Sequence, residues 1–173
     1  IPLHLACTYG YVDVVKLLIK KNANVNSKND YGQTPLHLTC TYGHVNTVKL
    51  LIEKNANLNA KSNNNETPIC VACKEGHIDI VKLLIENNVD LDLKNIYGNT
   101  PLHLACVNGY VDIVKLLIEK NVDFNLKNNV GFTPLHLACI DGYVDIVKLL
   151  IKKNSDLNLK NYHGQTPLYL ACI

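Results

Sequence analysis

A strict 33-residue period constrains this chain more than any other feature of its sequence. Every proline obeys it, and so do six of the seven cysteines, from Cys7 to Cys172. A fixed period of this length means that one supersecondary unit is repeated, so that each motif has to be interpreted as a column of equivalent residues. The repeats are residues 1–28 (partial), 29–61, 62–94, 95–127, 128–160 and 161–173 (partial).

One complete repeat, residues 29–61, predicts two short helices. Thr34 precedes Pro35, which is typical of a helix start because a hydroxyl caps free N–H groups and proline at the first helical position loses no hydrogen bond. This first helix is expected to end at Gly43, in a left-handed cap conformation. A second helix is predicted from about Val45 to Glu53.

The second helix carries an apolar stripe at helical spacing, which predicts a buried face. The stripe consists of Val45, Val48, Leu51 and Ile52. An asparagine follows the second helix in successive repeats, and asparagine tolerates the left-handed region best after glycine. These caps are Asn55, Asn88, Asn121 and Asn154. The rest of each repeat is rich in turn formers and predicts a hairpin-like loop.

Helix pairs this short bury their apolar stripes only by stacking on one another, which predicts an all-α solenoid. The heptapeptide TPLHLAC occurs at residues 100–106 and again at 133–139. With the period, this motif closely resembles the ankyrin repeat, whose pattern opens the first of two helices with TPLH. The resemblance covers the whole chain as a single ankyrin-repeat domain. It implies a protein-interaction module that binds partners in a concave groove formed by loop tips and first helices.

Two departures from the family pattern lead to expectations of their own. In repeat 62–94, Asn65 replaces the turn glycine, Ile69 replaces leucine and Cys70 replaces histidine. We expect this repeat to be the least regular, with Asn65 in a left-handed turn. Because no polar capping repeat is visible at either end, we also expect the chain to be a piece of a longer array.

The histidine and cysteine columns are the candidates for metal binding or catalysis. The histidines are His4, His37, His103 and His136. A catalytic residue repeated at equal spacing without a distinct partner is not how active sites are built, so we expect these histidines to bond neighbouring loops. The cysteines replace the family's alanine, and the single CxxC, Cys70 to Cys73, lacks a second ligand pair. We therefore expect no catalytic residue, no metal and no cofactor.

Charge and composition restrict the class of partner and the location. The net charge is +2, and all 17 basic residues are lysine, which does not favour nucleic-acid binding because arginine is the commonest base reader. No apolar run approaches the ~20 residues of a membrane helix, so no membrane insertion is expected. Reduced cysteines and the absence of a signal pattern indicate a cytoplasmic or nuclear module, expected to be monomeric.

Two lysine columns allow further interpretations. Lysines on the second helices mostly follow an aspartate by three residues and predict solvated ion pairs, as in Asp13 and Lys16. Lysines of the loops, such as Lys28 and Lys127, leave open a weak preference for acidic partners.

Residues that differ between repeats are the candidates for partner binding. We predict an interaction surface formed by Tyr31, Tyr42, Ile96, Tyr97, Val107, Val130, Phe132 and Ile140. Tyr97 and Phe132 are the expected anchors, because apolar and aromatic residues exposed together mark interaction sites. The alternative is that these side chains pack against neighbouring loops. A second hypothesis makes the chain a substrate-recruiting ankyrin segment of a larger enzyme, channel or ubiquitin-ligase adaptor.

Overall fold

A computed structural model describes residues 1–120 and 122–172 of the chain. Within these residues there are eleven helices and no strand, which confirms the expected all-α class. The chain forms two compact units, Ile1–Asp90 and Leu91–Ile173. The sequence-based expectation of one domain over residues 1–173 stays a prediction, and we describe the two units separately.

Unit 1 consists of three helix pairs, each belonging to one repeat. The pairs are α1 (Pro2–Thr8) with α2 (Val12–Lys20), α3 (Pro35–Tyr42) with α4 (Val45–Glu53), and α5 (Pro68–Glu75) with α6 (Ile78–Glu86). The first helices α1, α3 and α5 stack in sequence order, and the second helices α2, α4 and α6 form a parallel layer. Leu36, Leu51 and Leu84 lie fully buried in the core between the layers.

Unit 2 repeats this arrangement. It contains α7 (Pro101–Val107), α8 (Val111–Ile118), α9 (Pro134–Ile140), α10 (Val144–Lys152) and α11 (Pro167–Leu170). Helices α7, α9 and α11 pack in one layer, and α8 packs on α10 in the other. Leu102, Leu117 and Ile146 are among its fully buried core residues.

The helix ends follow the local sequence as expected. The Thr34 side chain lies 2.9 Å from the His37 ring at the start of α3, and Pro35 occupies the first turn. Gly43 ends α3 with a φ of 77° in the left-handed region. Asn55, Asn88 and Asn154 also have positive φ after their helices, which confirms the predicted asparagine caps. The cap predicted at Asn121 lies outside the described residues.

The helices and the first turn of repeat 62–94 are as regular as those of repeat 29–61, so the expected irregularity is not found in these elements. Its helices α5 and α6 have eight and nine residues, the same lengths as α3 and α4. Asn65 takes the predicted left-handed conformation with a φ of 55°, and so replaces the glycine without deforming the turn. Thr67 still caps its helix by accepting from the Cys70 N–H at 3.4 Å. The departures therefore preserve the local geometry.

Candidate partner-binding surface

The histidine column ties each first helix to the loop of the next repeat within a unit. In unit 2, His103 Nε2 lies 3.0 Å from the Phe132 carbonyl oxygen, and the Thr100 backbone N–H donates to His103 Nδ1 at 3.2 Å. Because a carbonyl only accepts and a backbone N–H only donates, these two bonds fix the neutral Nε2–H tautomer. The Thr100 hydroxyl, 2.8 Å from Nδ1, is then a second donor to it. His37 and His136 make the same set of contacts, to the Glu66 and Gln165 carbonyls.

This geometry gives the imidazoles a structural role. Burial is the main cause that lowers the pKa of His103 to about 4, and the nearby Lys94 ammonium lowers it further, while hydrogen bonds to the Phe132 and Leu126 carbonyls partly oppose them. Burial likewise lowers the pKa of His4, His37 and His136. Both ring nitrogens of His103 are used within the protein, which leaves neither for a substrate or a metal. The expectation that these histidines bond neighbouring loops is confirmed.

Four of the six cysteines of the column are buried, whereas Cys139 is half-buried and Cys172 is exposed. Burial raises the pKa of the Cys7 thiol to about 12 and raises that of Cys40 and Cys106 as well. A thiol with a raised pKa carries little thiolate at neutral pH and is a weak nucleophile. Cys70 lies in the histidine position of its repeat, where the Thr67 hydroxyl donates to its sulfur at 3.2 Å. Within the part of the chain that the structure describes, no His, Cys, Asp and Glu cluster could hold a metal ion.

Each loop tip is held by one buried or half-buried polar side chain, a feature that the sequence analysis missed. In the tip formed by residues 128–132, Asn128 Oδ1 accepts from the Val130 N–H at 3.1 Å and from the Phe132 N–H at 2.9 Å. Asn29, Asn95 and Asn161 do the same in their own tips. The signal was present in the sequence, since these asparagines recur at the 33-residue period, with Ser62 in the remaining repeat.

In unit 2 the three tips are joined to one another in register. The Asn129 N–H donates to the Tyr97 carbonyl at 3.0 Å, and its side-chain amide donates to the Ile96 carbonyl at 2.8 Å. The Tyr162 N–H donates in the same way to the Val130 carbonyl at 3.4 Å. Residues at equivalent tip positions therefore follow one another along a row that backbone hydrogen bonds hold rigid.

We call six of the predicted residues the tip surface of unit 2: Ile96, Tyr97, Val107, Val130, Phe132 and Ile140. Four of them are well exposed, with exposed fractions of 42% for Ile96, 63% for Tyr97, 47% for Val130 and 44% for Ile140. Val107 and Phe132 are half-buried. The Phe132 ring stacks on His136 with 5.8 Å between ring centroids, so part of it packs inside the protein, as the alternative in the sequence analysis allowed.

The two predicted residues of unit 1 lie among different neighbours. Tyr31 and Tyr42 are 73% and 54% exposed. Tyr42 stacks on His44 at 6.4 Å, and the His44 Nε2 bonds the Thr8 carbonyl of the preceding repeat at 2.8 Å. The next repeat presents a salt bridge of 3.7 Å between Glu66 and Lys74, at the repeat positions that Phe132 and Val107 occupy in unit 2. An apolar row comparable with that of unit 2 is therefore interrupted here by charge.

The loop lysines have intramolecular partners. Lys28 Nζ donates to the Lys61 carbonyl at 2.8 Å, and Lys127 Nζ donates to the Lys160 carbonyl at 2.8 Å. These ammonium groups join successive repeats and keep their positive charge, so the weak preference for acidic partners stays a prediction. The lysines of the second helices form the predicted exposed pairs, such as Lys115 with Asp112 at 3.0 Å.

Stacked helix pairs with a TPLH-type start, a histidine tie and a projecting loop tip define the class of ankyrin-repeat proteins. The family model described as ankyrin repeats (3 copies) matches residues 1–62, 55–128 and 120–173. The chain belongs to the ankyrin-repeat family, whose repeats are generally a non-catalytic module for protein–protein interaction. No curated protein matches it significantly. None of the described helices has the length and apolar character needed to cross a membrane.

Proposed function

We propose that this protein acts by binding a partner protein through the tip surface of unit 2. The observation that carries the proposal is the exposure of Ile96, Tyr97, Val130 and Ile140 in successive repeats. Solvated surfaces seldom gather large apolar side chains in this way unless they bind something. Tyr97 is the strongest candidate anchor, because an exposed tyrosine loses little conformational entropy when it is ordered by a partner.

Rigidity supports the proposal. The Asn95 and Asn128 side chains fix their tips, and the bonds from Asn129 to the Ile96 and Tyr97 carbonyls fix one tip against the next. A surface that is already ordered requires little further loss of entropy when a partner binds. We therefore propose that the chain is a monomeric module that recognises its partner by shape and apolar contact.

The test is quantitative affinity capture followed by mass spectrometry with wild-type chain, Tyr97→Ser and Tyr11→Ser. Tyr11 is the control because it is an exposed tyrosine outside the predicted interaction surface. We expect Tyr97→Ser to deplete a specific partner at least about tenfold, the effect of losing one hot-spot residue, and Tyr11→Ser to leave it unchanged. A partner retained equally by all three would show that the surface has been assigned wrongly.

We also propose a cytoplasmic or nuclear location, on the grounds of the thiols. Cys7, Cys40, Cys106 and Cys139 are buried or half-buried thiols without a disulfide. Thiols persist in reducing compartments and are oxidised in secretory ones. Imaging of a fluorescent fusion in the source cell would test the location directly, and fluorescence confined to the secretory pathway would contradict it.

A further inference from the structure

We infer that the segment docking on the tip surface of unit 2 is an amphipathic α-helix of the partner protein, with a basic residue beside its apolar face. The inference rests on the proposed function and specifies the kind of partner for the same surface. It follows from the hydrogen-bonding capacity of the tips and from the charge beside them.

Two of the three tips of unit 2 use all their backbone donors internally, and in the third, residues 95–99, four of the five N–H groups donate within the protein. In the tip formed by residues 128–132, all five N–H groups donate within the protein: Asn128 to Phe132, Asn129 to Tyr97, Gly131 to Asn128, and Val130 and Phe132 to the Asn128 side chain. The five N–H groups of residues 161–165 are used in the same pattern. An added strand would need such donors, and the tips formed by residues 128–132 and 161–165 have none to give.

Four carbonyl acceptors of the row are engaged as well. The Ile96 and Tyr97 carbonyls accept from Asn129, the Val130 carbonyl accepts from Tyr162, and the Phe132 carbonyl accepts from Asn128 and His103. The tip surface therefore presents side chains to a ligand and little unpaired backbone.

This property discriminates between the conformations that a partner segment can adopt. An extended segment pressed on an apolar surface without complementary groups leaves its own buried N–H and C=O groups unpaired, at about 1–3 kcal/mol each. A helix satisfies its backbone internally and offers apolar side chains at i, i+3, i+4 and i+7. A helix therefore buries Tyr97 and Val130 at a lower desolvation cost than a strand does.

The negative charge beside the tip surface favours a basic residue beside the apolar face of the partner helix. Asp141 is the C-cap of α9 and follows Ile140 directly. Among the loop-tip and helix-end positions that differ between the repeats of unit 2, this is the position with a carboxylate. It is exposed, and the ion pairs of the described residues do not include it. The carbonyl end of α9 adds partial negative charge at the same place. Lys94 and Lys127 donate to carbonyl oxygens of later repeats and form no ion pair with Asp141 among the described residues.

The experiment selects ligands for the full chain from two displayed peptide libraries. One library has a helical frame of about 20 residues, long enough to fold in isolation, with apolar residues varied at i, i+3, i+4 and i+7. The other carries the same residues in a frame with a proline at every third position, which excludes a helix. Selected peptides are synthesised, and their Kd values are measured by fluorescence anisotropy against wild-type chain, Tyr97→Ser, Val130→Ser, Asp141→Asn and the control Tyr11→Ser.

We expect binders from the helical library whose affinity falls at least about tenfold with Tyr97→Ser or Val130→Ser and stays within about twofold with Tyr11→Ser. Asp141→Asn should weaken them about threefold at low salt, with the difference shrinking at high salt. Tyr97-dependent binders from the proline library alone would overturn the helical inference and leave the proposed function standing. If no binder from either library depended on Tyr97 or Val130, the proposed function and the inference would both fail. Helical binders indifferent to Asp141→Asn would refute the basic flank.

Discussion

Acidification should destabilise unit 2 through His103, because the folded protein holds this imidazole in its neutral form. A proton on Nδ1 would face the Thr100 backbone N–H, which already donates to that nitrogen at 3.2 Å. The ring is fully buried, and the nearby Lys94 ammonium also opposes a second positive charge. Protonation of Nδ1 therefore requires the hydrogen bond between the Thr100 N–H and His103 to break.

The magnitude follows from the difference between the folded and unfolded pKa. Burial lowers the pKa of His103 to about 4, whereas an unfolded histidine titrates near 6.5. Below pH 6.5 the unfolded chain binds the proton first, so the free energy of unfolding falls as the pH falls. The contribution is fully present above pH 6.5 and is lost progressively down to about pH 4. It amounts to about 3 kcal/mol in total.

The assay is urea unfolding of wild-type chain and His103→Cys between pH 7.5 and pH 4.5. Cys70 shows that a cysteine fits this position of a repeat. At pH 7.5 the variant should be less stable by about 1–2 kcal/mol, because the bond to the Phe132 carbonyl is lost. At pH 4.5 that difference should vanish or reverse, since only the wild type has lost the contribution of His103. Parallel pH profiles for the two chains would refute the reasoning, because carboxylates and the other histidines titrate in both.

Two further predictions concern backbone geometry. Gly109→Ala places a Cβ 2.6 Å from the Tyr143 ring at a φ of +74°, and should lower the free energy of unfolding by about 1–3 kcal/mol in urea titrations. Gly142→Ala, with a φ of +70° and open space around it, should cost less, and equal losses would argue against the clash. Asn128→Ala removes the acceptor of two tip N–H groups and should cost about 2–3 kcal/mol, with faster amide exchange in that tip. Asn128→Asp keeps the acceptor, loses only the bond to Asn99 and should cost less; the reverse order would contradict the assigned role.

The sequence alone determined the helices and their ends. Thr34 with Pro35 starts a helix, Gly43 ends it and Asn55 caps the next one, because each of these effects acts over a few neighbouring residues. The repeat period then implied that the repeats stack, because helices this short can bury their apolar stripes only against the equivalent stripes of neighbouring repeats. The histidine ties were also predictable, because a column that repeats without a catalytic partner points to a structural role.

Only the tertiary structure decided how residues distant in sequence share their polar groups. Lys127 looked like a charge open to a partner, yet its ammonium group bonds a carbonyl 33 residues away. Phe132 looked like an exposed anchor, but part of its ring stacks on His136, whereas Tyr97 remains largely exposed. These outcomes depend on which atoms come within hydrogen-bonding or van der Waals distance after the repeats stack. Periodicity identifies equivalent positions, but exposure and partner choice at each position arise from the packed neighbours.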